Sequence, residues 1–593
     1  MSIEDLTNRV IETDFLIVGG GIVGMMAAIR AKMTDPDMDV TIIDKAKMEW
    51  SGDGVGLDNH NQVPLHKEDF NREITDDDVN KAVFGNKRMQ GLLDSKLFGI
   101  QMKNAYLSQP ILESLGVRIR EDDGALMVLQ AYRRGTNWGR LEYDDDGKPS
   151  EPLFGSFSRS SDLKMKMGNA VRKNGTRILD RTMVTSVVLR DGEAIGATAI
   201  NVRTNEFLFI KAKATMISTG GAARVHSYQY SPFPNNLFYT IVSPVNHGGG
   251  HVAAINAGAK LYSMEFVNFY NVSKGVNHSS GGGGCNWYFK MYNSKGEALE
   301  DKYADRVVTK AGGKIPGLNY LFAPSMTEAE VLHDVILSYK DKADADTISA
   351  VYFTAATEPL KALKFHELAG GLTNELPCEC TWIYAGIGMS GGGIYRETEN
   401  SETGVKNLFA AGYCTGSGGS NGFTWGCLIA DHVAERVKGK AHAKVDADQL
   451  KQIEETKNWV FAPLNRSSDY TVNALELEDY IKHLNMNYVG LMKNTAKIKR
   501  GQELLQRAKD GAAPLLTASN PHELMRAIEV QHIFDISEVY MQSSLMRDES
   551  RLGQCHYRLE FPDLDHKWDN MMVTVHKDAG VNKYQIEKIN KDM

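Results

Sequence analysis

Residues 15–31, FLIVGGGIVGMMAAIRA, read as strand, tight turn and helix. Phe15 to Val18 are apolar and run straight into glycines, after which small, helix-friendly residues follow. Gly19, Gly21 and Gly24 have the spacing G-x-G-x-x-G. The first glycine lets the chain turn sharply, the second lets a pyrophosphate approach the backbone, and the third lets helix and strand pack closely. An anion would then sit on the helix N-terminus, where unpaired N–H groups and the dipole favour negative charge. Such a turn also occurs in other parallel sheets, so its context decides. The next apolar run, Val40 to Ile43, ends in Asp44, 20 residues beyond Gly24. That is where a dinucleotide fold places a carboxylate for a ribose hydroxyl.

The chain of 593 residues exceeds one ordinary core and predicts two to four structural units. With 42% hydrophobic and 24% charged residues it is globular in composition, and its formal charge of −8 argues against general binding to nucleic acid or anionic membranes. The six cysteines include no C-x-x-C pair, which speaks against a disulfide framework and against an iron–sulfur cluster held by this chain alone. Cys378 and Cys380 lack a second cysteine pair, so no metal site is assigned. No run reaches about 18 apolar residues and the N-terminus lacks an apolar leader, so the expectation is a cytoplasmic protein with no integral membrane segment.

Beyond Asp44 the polar, glycine-rich residues 47–64 suit a loop beside a ligand. Helical spacing follows from Asp69 to about Gly116. DLKMKMGNAVRKNG predicts a helix, VTSVVLRDGEAIGATAINV a hairpin, and ATMISTGGAAR, 214–224, a second strand ending in glycines. Residues 246–370 change character, with glycine runs, aromatics and the acidic stretch 326–353, which predicts a helix. Strand-and-glycine patterning resumes at 388–416, and the chain beyond about Lys438 reads as helical with a short irregular tail. The expected division is therefore 1–245 and 371–440 for an α/β, Rossmann-like FAD-binding domain, 246–370 for an inserted α+β capping domain, and 441–593 for a helical C-terminal domain.

The blocks GGGIVG, Asp44-Lys45, Ser51-Gly52, STGG at 218–221, GGGHVAAINAGAKLYSMEF at 248–266, NLFAAG at 407–412 and RDESRLGQCHYRLEFPDLD at 547–565 follow one another over nearly the whole chain. Their order resembles the fumarate reductase/succinate dehydrogenase flavoprotein superfamily, and DKAKMEWSGDGVGL with the aromatic approach to MYNSKGE is most similar to its adenylylsulfate reductase alpha branch. The resemblance implies FAD and a substrate pocket under a cap. It also implies a ferredoxin-like iron–sulfur subunit, hence a hetero-oligomer. It assigns Gly19, Gly21 and Gly24 to the pyrophosphate, Asp44 with Lys45 to the adenosine end, and Ser51, Gly52 and Gly56 to the isoalloxazine side. Val184 falls near the adenine, Gly220 and Gly221 near the pyrophosphate, and Gly412 with Leu428 near the ribityl chain and pyrimidine edge.

Departures from the family pattern bear on chemistry. Gly52 stands where members with covalent flavin carry histidine, which implies non-covalent FAD. The Gln-Phe-His-Pro segment that helps place dicarboxylates appears as Asn268-Phe269-Tyr270-Asn271, and the His-x-Met-Gly-Gly segment as Ile387 to Gly391 without its histidine. Dianions need guanidinium partners in a desolvated pocket. A lining of Asn268, Tyr270, Trp287, Tyr395 and Trp425 instead suits a small, weakly charged substrate stacked on aromatics.

Hydride transfer needs a proton handled nearby. Arg306 resembles the family's arginine donor or is a solvated helix residue; His251 faces the pocket or packs at a domain seam; Tyr413 replaces the family acid or fills space. Arg551 and His556 read as structural. The resulting expectation is an FAD-dependent oxidoreductase passing electrons between an organic substrate and an iron–sulfur partner. The alternatives are adenylylsulfate reduction, with guanidinium groups from Arg306, Arg396 or Arg551, and a self-sufficient flavin C=C reductase or oxidase.

Overall fold

The computed structural model describes chiefly residues 2–52, 92–120, 162–226, 243–272, 392–416, 419–466, 471–490, 492–551 and 556–589, with short segments between them. Its centre is a seven-stranded sheet. Arg9–Val18 lies between Val40–Asp44 and Phe207–Ile217, all parallel, with Arg177–Asp180 beyond Val40–Asp44 and Leu408–Ala410 also parallel to Phe207–Ile217. These strands are near-continuous apolar runs because helices cover the sheet; Phe15, Leu16, Ile17, Ile42 and Met216 are fully buried.

Thr182–Arg190 and Glu193–Asn201 form the expected hairpin and join Phe207–Ile217 antiparallel. Its two-residue loop, Asp191-Gly192, has φ of 50° and 78°. Positive φ at both positions matches the right-handed twist of the strands, which is why Asp-Gly marks such hairpins.

The helix after the glycine turn, Ile22–Thr34, packs against Gly419–Val437. Glycines on the second helix permit the close approach: a Cβ on Gly422 would lie 2.3 Å from Val23 Cγ2, and one on Gly426 3.0 Å from the Val23 carbonyl. The helices expected before the central hairpin also form, at Ser95–Asn104, Gln109–Ser114 and Leu163–Lys173.

Two expectations are corrected. Within the acidic stretch 326–353, Val335–Ser338 is a strand paired with Lys290–Tyr292 and Leu376–Cys378. The apolar run VILS finds sheet partners there, and the remainder of that stretch lies outside the described residues. The C-terminal tail is not irregular either. After the helices Ala447–Asn465, Ala474–Val489, Thr495–Gly511 and Pro521–Met546, residues Met571–Asp578 and Val581–Lys588 form a hairpin across Ala579-Gly580. That hairpin joins Leu261–Tyr262 and Gly393–Ile394 in a four-stranded sheet. The alternation MMVTVHKD was legible, but the strands it joins lie about 180 and 310 residues earlier in sequence.

Candidate flavin site

Four strand ends converge at one edge of the sheet, each with a different local reason. Gly19 has φ of 109°, and a Cβ there would lie 2.5 Å from the Ser218 carbonyl, so only glycine lets the first strand turn beside Phe207–Ile217. A Cβ on Gly24 would lie 2.1 Å from the Gly19 carbonyl, which makes Gly24 a packing glycine. Gly21 differs: its φ is −68°, and the nearest atom to a Cβ there is 4.0 Å away. The fold does not require this glycine, and the space beside it is what an incoming phosphate needs. Gly21 is also the N-cap of a 13-residue helix and offers no side-chain cap, leaving the first-turn N–H groups for a ligand.

Asp44 ends the neighbouring strand and is buried. Its Oδ2 accepts from the Gly20 N–H at 2.9 Å; its Oδ1 accepts from the Ala46 N–H at 2.8 Å and the Ser51 hydroxyl at 3.0 Å. One carboxylate thus fixes the glycine turn, the strand exit and the start of the next loop. Gly52, with φ of 72°, follows Ser51; Gly56 lies outside the described residues.

The third strand end carries Ser218, whose hydroxyl donates to the Gly19 carbonyl at 2.8 Å, then Gly220 with φ of 76°, held against the Asn246 side chain, and buried Gly221. The fourth is Ala410-Ala411-Gly412. The Ala411 N–H donates to the Ile217 carbonyl at 3.0 Å, and Gly412, with φ of 84°, abuts Val23 of the glycine-turn helix. Val184 packs in the apolar cluster with Val18 and Ile43, and Leu428 against the core of the helix pair.

Tyr413 is half-buried in the turn Tyr413–Thr415 directly after Gly412. His251 is fully buried in the helix Gly249–Asn256, at the seam with the same turn; burial pushes its imidazole down to about 4, opposed by the Cys414 backbone. It is therefore neutral near pH 7. Cys414 is likewise buried, which pushes its thiol up to about 12 and leaves it unreactive. Arg306 and Trp287 lie outside the described residues, as do the side chains of Asn268 and Tyr270.

Tyr395 and Trp425 occupy separate apolar clusters rather than one wall. Tyr395 packs edge-on to Tyr262 at 5.4 Å between centroids, and Tyr262 donates its hydroxyl to the Thr415 carbonyl at 3.0 Å. Trp425 is fully buried in the core of the helix pair, with the Arg396 guanidinium 4.7 Å from its ring centroid. The aromatic composition was readable; which apolar cluster each ring joins was not.

Lys45 points into a buried ion network. Its ammonium donates to Glu529 Oε1 at 2.5 Å, the Val245 carbonyl at 2.7 Å and His247 Nδ1 at 2.9 Å. Arg224 pairs with Glu478 through two hydrogen bonds of 2.7 and 2.6 Å and with Glu529 Oε2 at 2.6 Å. Burial raises the Glu529 carboxyl, but Arg224 and Lys45 outweigh it and hold the group well below the usual range. Arg224 and Glu529 were missed, since nothing local in the sequence names a partner 305 residues away.

A second buried network joins the block 547–565 to the strand approach at Glu265. Arg547 donates to Glu265 Oε1 at 2.6 Å and stacks between Phe266 and Trp568, while Arg551 pairs with Glu549 and Asp569. His556 accepts from Lys493 at 3.0 Å and is held neutral by burial.

Residues 14–427 match the family described as "FAD binding domain", and residues 478–592 the family described as "Fumarate reductase flavoprotein C-term". An uncharacterised FAD-dependent oxidoreductase of Methanocaldococcus jannaschii is 23% identical over 94% of this chain and 95% of its own length. One subunit of the CoM/CoB fumarate reductase of Methanothermobacter marburgensis is 22% identical over 95% and 97%. Among solved structures, adenylylsulfate reductase of Archaeoglobus fulgidus superposes with a TM-score of 0.75 at 20% identity, over 99% of this chain and 96% of that one. The flavoprotein FrdA of Escherichia coli quinol fumarate reductase superposes with 0.74 at 17%, over 98% of each. The chain is thus an FAD-dependent oxidoreductase. It belongs to the fumarate reductase/succinate dehydrogenase flavoprotein family.

The cradle fits that cofactor: open space at Gly21, a helix N-terminus without a side-chain cap and positive-φ glycines at 19, 52, 220 and 412 gather at the same ends of the strands. FAD, when bound, supplies the two-electron carrier. The chain's own residues bind and orient it.

Proposed function

We propose that this chain is the flavoprotein subunit of an electron-relaying complex resembling adenylylsulfate reductase, moving electrons between a small, weakly charged organic substrate and a ferredoxin-like iron–sulfur partner. The observation that carries the substrate reading is a strand pair. Val267–Val272 runs antiparallel to Thr381–Ile387, with Tyr270 opposite Ile383 and Asn271 opposite Trp382. Residues 268–271, which match the Gln-Phe-His-Pro segment of dicarboxylate-handling relatives, lie on the first strand, and Ile387, which stands where the second segment has its histidine, ends the other strand opposite Val267; the pair carries Asn, Phe, Tyr and Trp with no arginine. A desolvated dianion would find no bidentate partner on this pair.

Gly52 in place of a histidine supports FAD held without a covalent bond. Tyr413, half-exposed beside Gly412, is the favoured proton-handling group; His251, shut in and neutral, and Arg306 are the other candidates. The capping unit, 246–370, carries Asn268, Tyr270 and Trp287 and would bring them to a substrate held against the flavin domain. Affinity purification of the tagged chain from its native cells without oxygen, followed by flavin and iron spectra, tests the assembly. A small co-purifying iron–sulfur protein supports it; a flavin-only chain that turns over with oxygen overturns it in favour of a self-sufficient flavin enzyme.

Arg396 favours a second reading, the reduction of adenylylsulfate. It is a buried guanidinium beside Tyr262 and the Cys414 turn, and burial lowers its proton affinity. Sulfite formed from adenylylsulfate with a reduced dye, and abolished in Arg396→Met, would establish that reading.

A further inference from the structure

Glu529 comes from the C-terminal helix Pro521–Met546, yet its two oxygens serve two different loops of the FAD-binding sheet. Oε1 accepts from Lys45, the residue after Asp44 at the exit of the second strand. Oε2 accepts from Arg224, three residues beyond Gly221 at the exit of Phe207–Ile217. Each of these cations is anchored on the far side as well. Lys45 also holds the Val245 carbonyl and His247, and the Arg224 N–H donates to the Asn246 carbonyl at 3.0 Å. The segment 245–247 in turn backs the cradle, because the Asn246 side chain lies where a Cβ on Gly220 would be, at 2.9 Å.

We infer that Glu529 is a positioning residue for FAD, and that docking of the C-terminal helical unit and binding of the cofactor are energetically coupled through it. Asp44 sets the Gly20 N–H and Ser51. Its neighbour Lys45 has three donors and all three are used, so the strand exit has one placement while Glu529 is present. Glu529 and its two short-range partners are buried, with side-chain exposures of 1% for Glu529, 3% for Arg224 and 12% for Lys45; Arg526, 22% exposed, adds a longer contact to Oε2 at 3.5 Å. A buried charge that loses its partner forces its neighbours to rearrange rather than letting water substitute. Linkage then runs both ways: whatever Glu529 gives to FAD affinity, FAD returns to the docking of the helix that carries Glu529.

The test uses the full-length chain freed of flavin, checked for native far-UV circular dichroism, and titrated with FAD by fluorescence quenching. Glu529→Gln keeps the shape but sets an NH2 against Lys45 or against the arginine side, Arg224 with Arg526. It is expected to raise the FAD dissociation constant about tenfold or more, as is Lys45→Met, each the loss of one buried charge-assisted contact. The double variant is expected to be no worse than the weaker-binding single, since both remove the same link. Glu529→Asp should recover part of the affinity. A purely structural role would lower the melting temperature and leave FAD affinity within twofold, and that result, or strictly multiplicative effects in the double variant, overturns the inference. Should Glu529→Gln fail to fold, limited proteolysis of the unaltered chain decides: FAD is expected to slow cleavage within residues 447–546, and equal rates with and without FAD overturn the coupling.

Discussion

Asp44 accepts the Gly20 N–H at 2.9 Å, and this contact ties the end of the second strand to the turn that follows the first before any cofactor arrives. With the Ala46 N–H and the Ser51 hydroxyl on its other oxygen, the carboxylate is a fully engaged acceptor. Asp44→Asn must present an amide NH2 to one of these donors. Losing one charge-assisted bond and opposing two donors costs about 1–3 kcal/mol. The expected outcome is FAD affinity weakened by about 10- to 100-fold, measured by fluorescence titration. Unchanged affinity would remove Asp44 from the cradle.

Gly21 and Gly24 separate binding from folding. A Cβ at position 24 meets the Gly19 carbonyl at 2.1 Å, so Gly24→Ala is expected to lose several degrees of melting temperature even without flavin. At position 21 a Cβ finds its nearest atom at 4.0 Å, so Gly21→Ala should melt normally as the apo-protein and bind FAD more weakly. Calorimetry of both flavin-free variants checks the contrast; similar melting losses would contradict it.

Acid is expected to destabilise the chain well above the carboxylate range. His251 is buried and pushed down to about 4 from an ordinary 6.5, with desolvation as the leading cause. Below pH 6.5 the unfolded chain takes up a proton at this site that the folded one refuses, so stability falls as pH drops and levels off near pH 4. The slope is about 1.4 kcal/mol per pH unit for one site. Urea denaturation between pH 7.5 and 5, with His251→Phe expected to show a shallower dependence by that amount, provides the measurement.

Arg547 and Glu265 are both fully buried and bonded at 2.6 Å, with Arg547 also stacked on Phe266 and Trp568 at 4.7 and 4.4 Å. Glu265→Ala leaves a buried guanidinium short of a partner and is expected to cost about 3–5 kcal/mol. Arg547→Lys keeps the charge but loses the planar fork and both stacking faces, and is expected to be destabilising by more than about 1.5 kcal/mol. Denaturant midpoints of the two variants test this; a neutral Arg547→Lys would show that the charge alone matters.

If FAD is held without a covalent bond, acid precipitation of the holoprotein releases all flavin to the supernatant. Yellow protein in the pellet would overturn that reading of Gly52.

The glycine turn, Asp44, the Asp191-Gly192 hairpin and the later glycine ends at 220 and 412 were legible because each is a local demand. A positive φ, a two-residue loop or a short backbone approach leaves its mark on the residue that meets it. The order of blocks carried the family in the same way. What misled was local patterning where partners are remote. VILS at 335–338 sits in a stretch of helical spacing yet pairs with strands on either side, and the tail hairpin closes a sheet begun at Leu261.

The sequence by itself determined the glycine turn after the first strand, the acid that ends its neighbour and the glycines that follow the later strands, since those residues answer to backbone geometry a few positions away. Only the tertiary structure decided that Lys45 answers to Glu529, that Arg224 shares the same carboxylate, and that Trp425 belongs to a helix core. Charge pairing and ring burial are set by which surfaces meet in space. Two residues 484 positions apart become partners through packing of the helices between them, which no short window of sequence records.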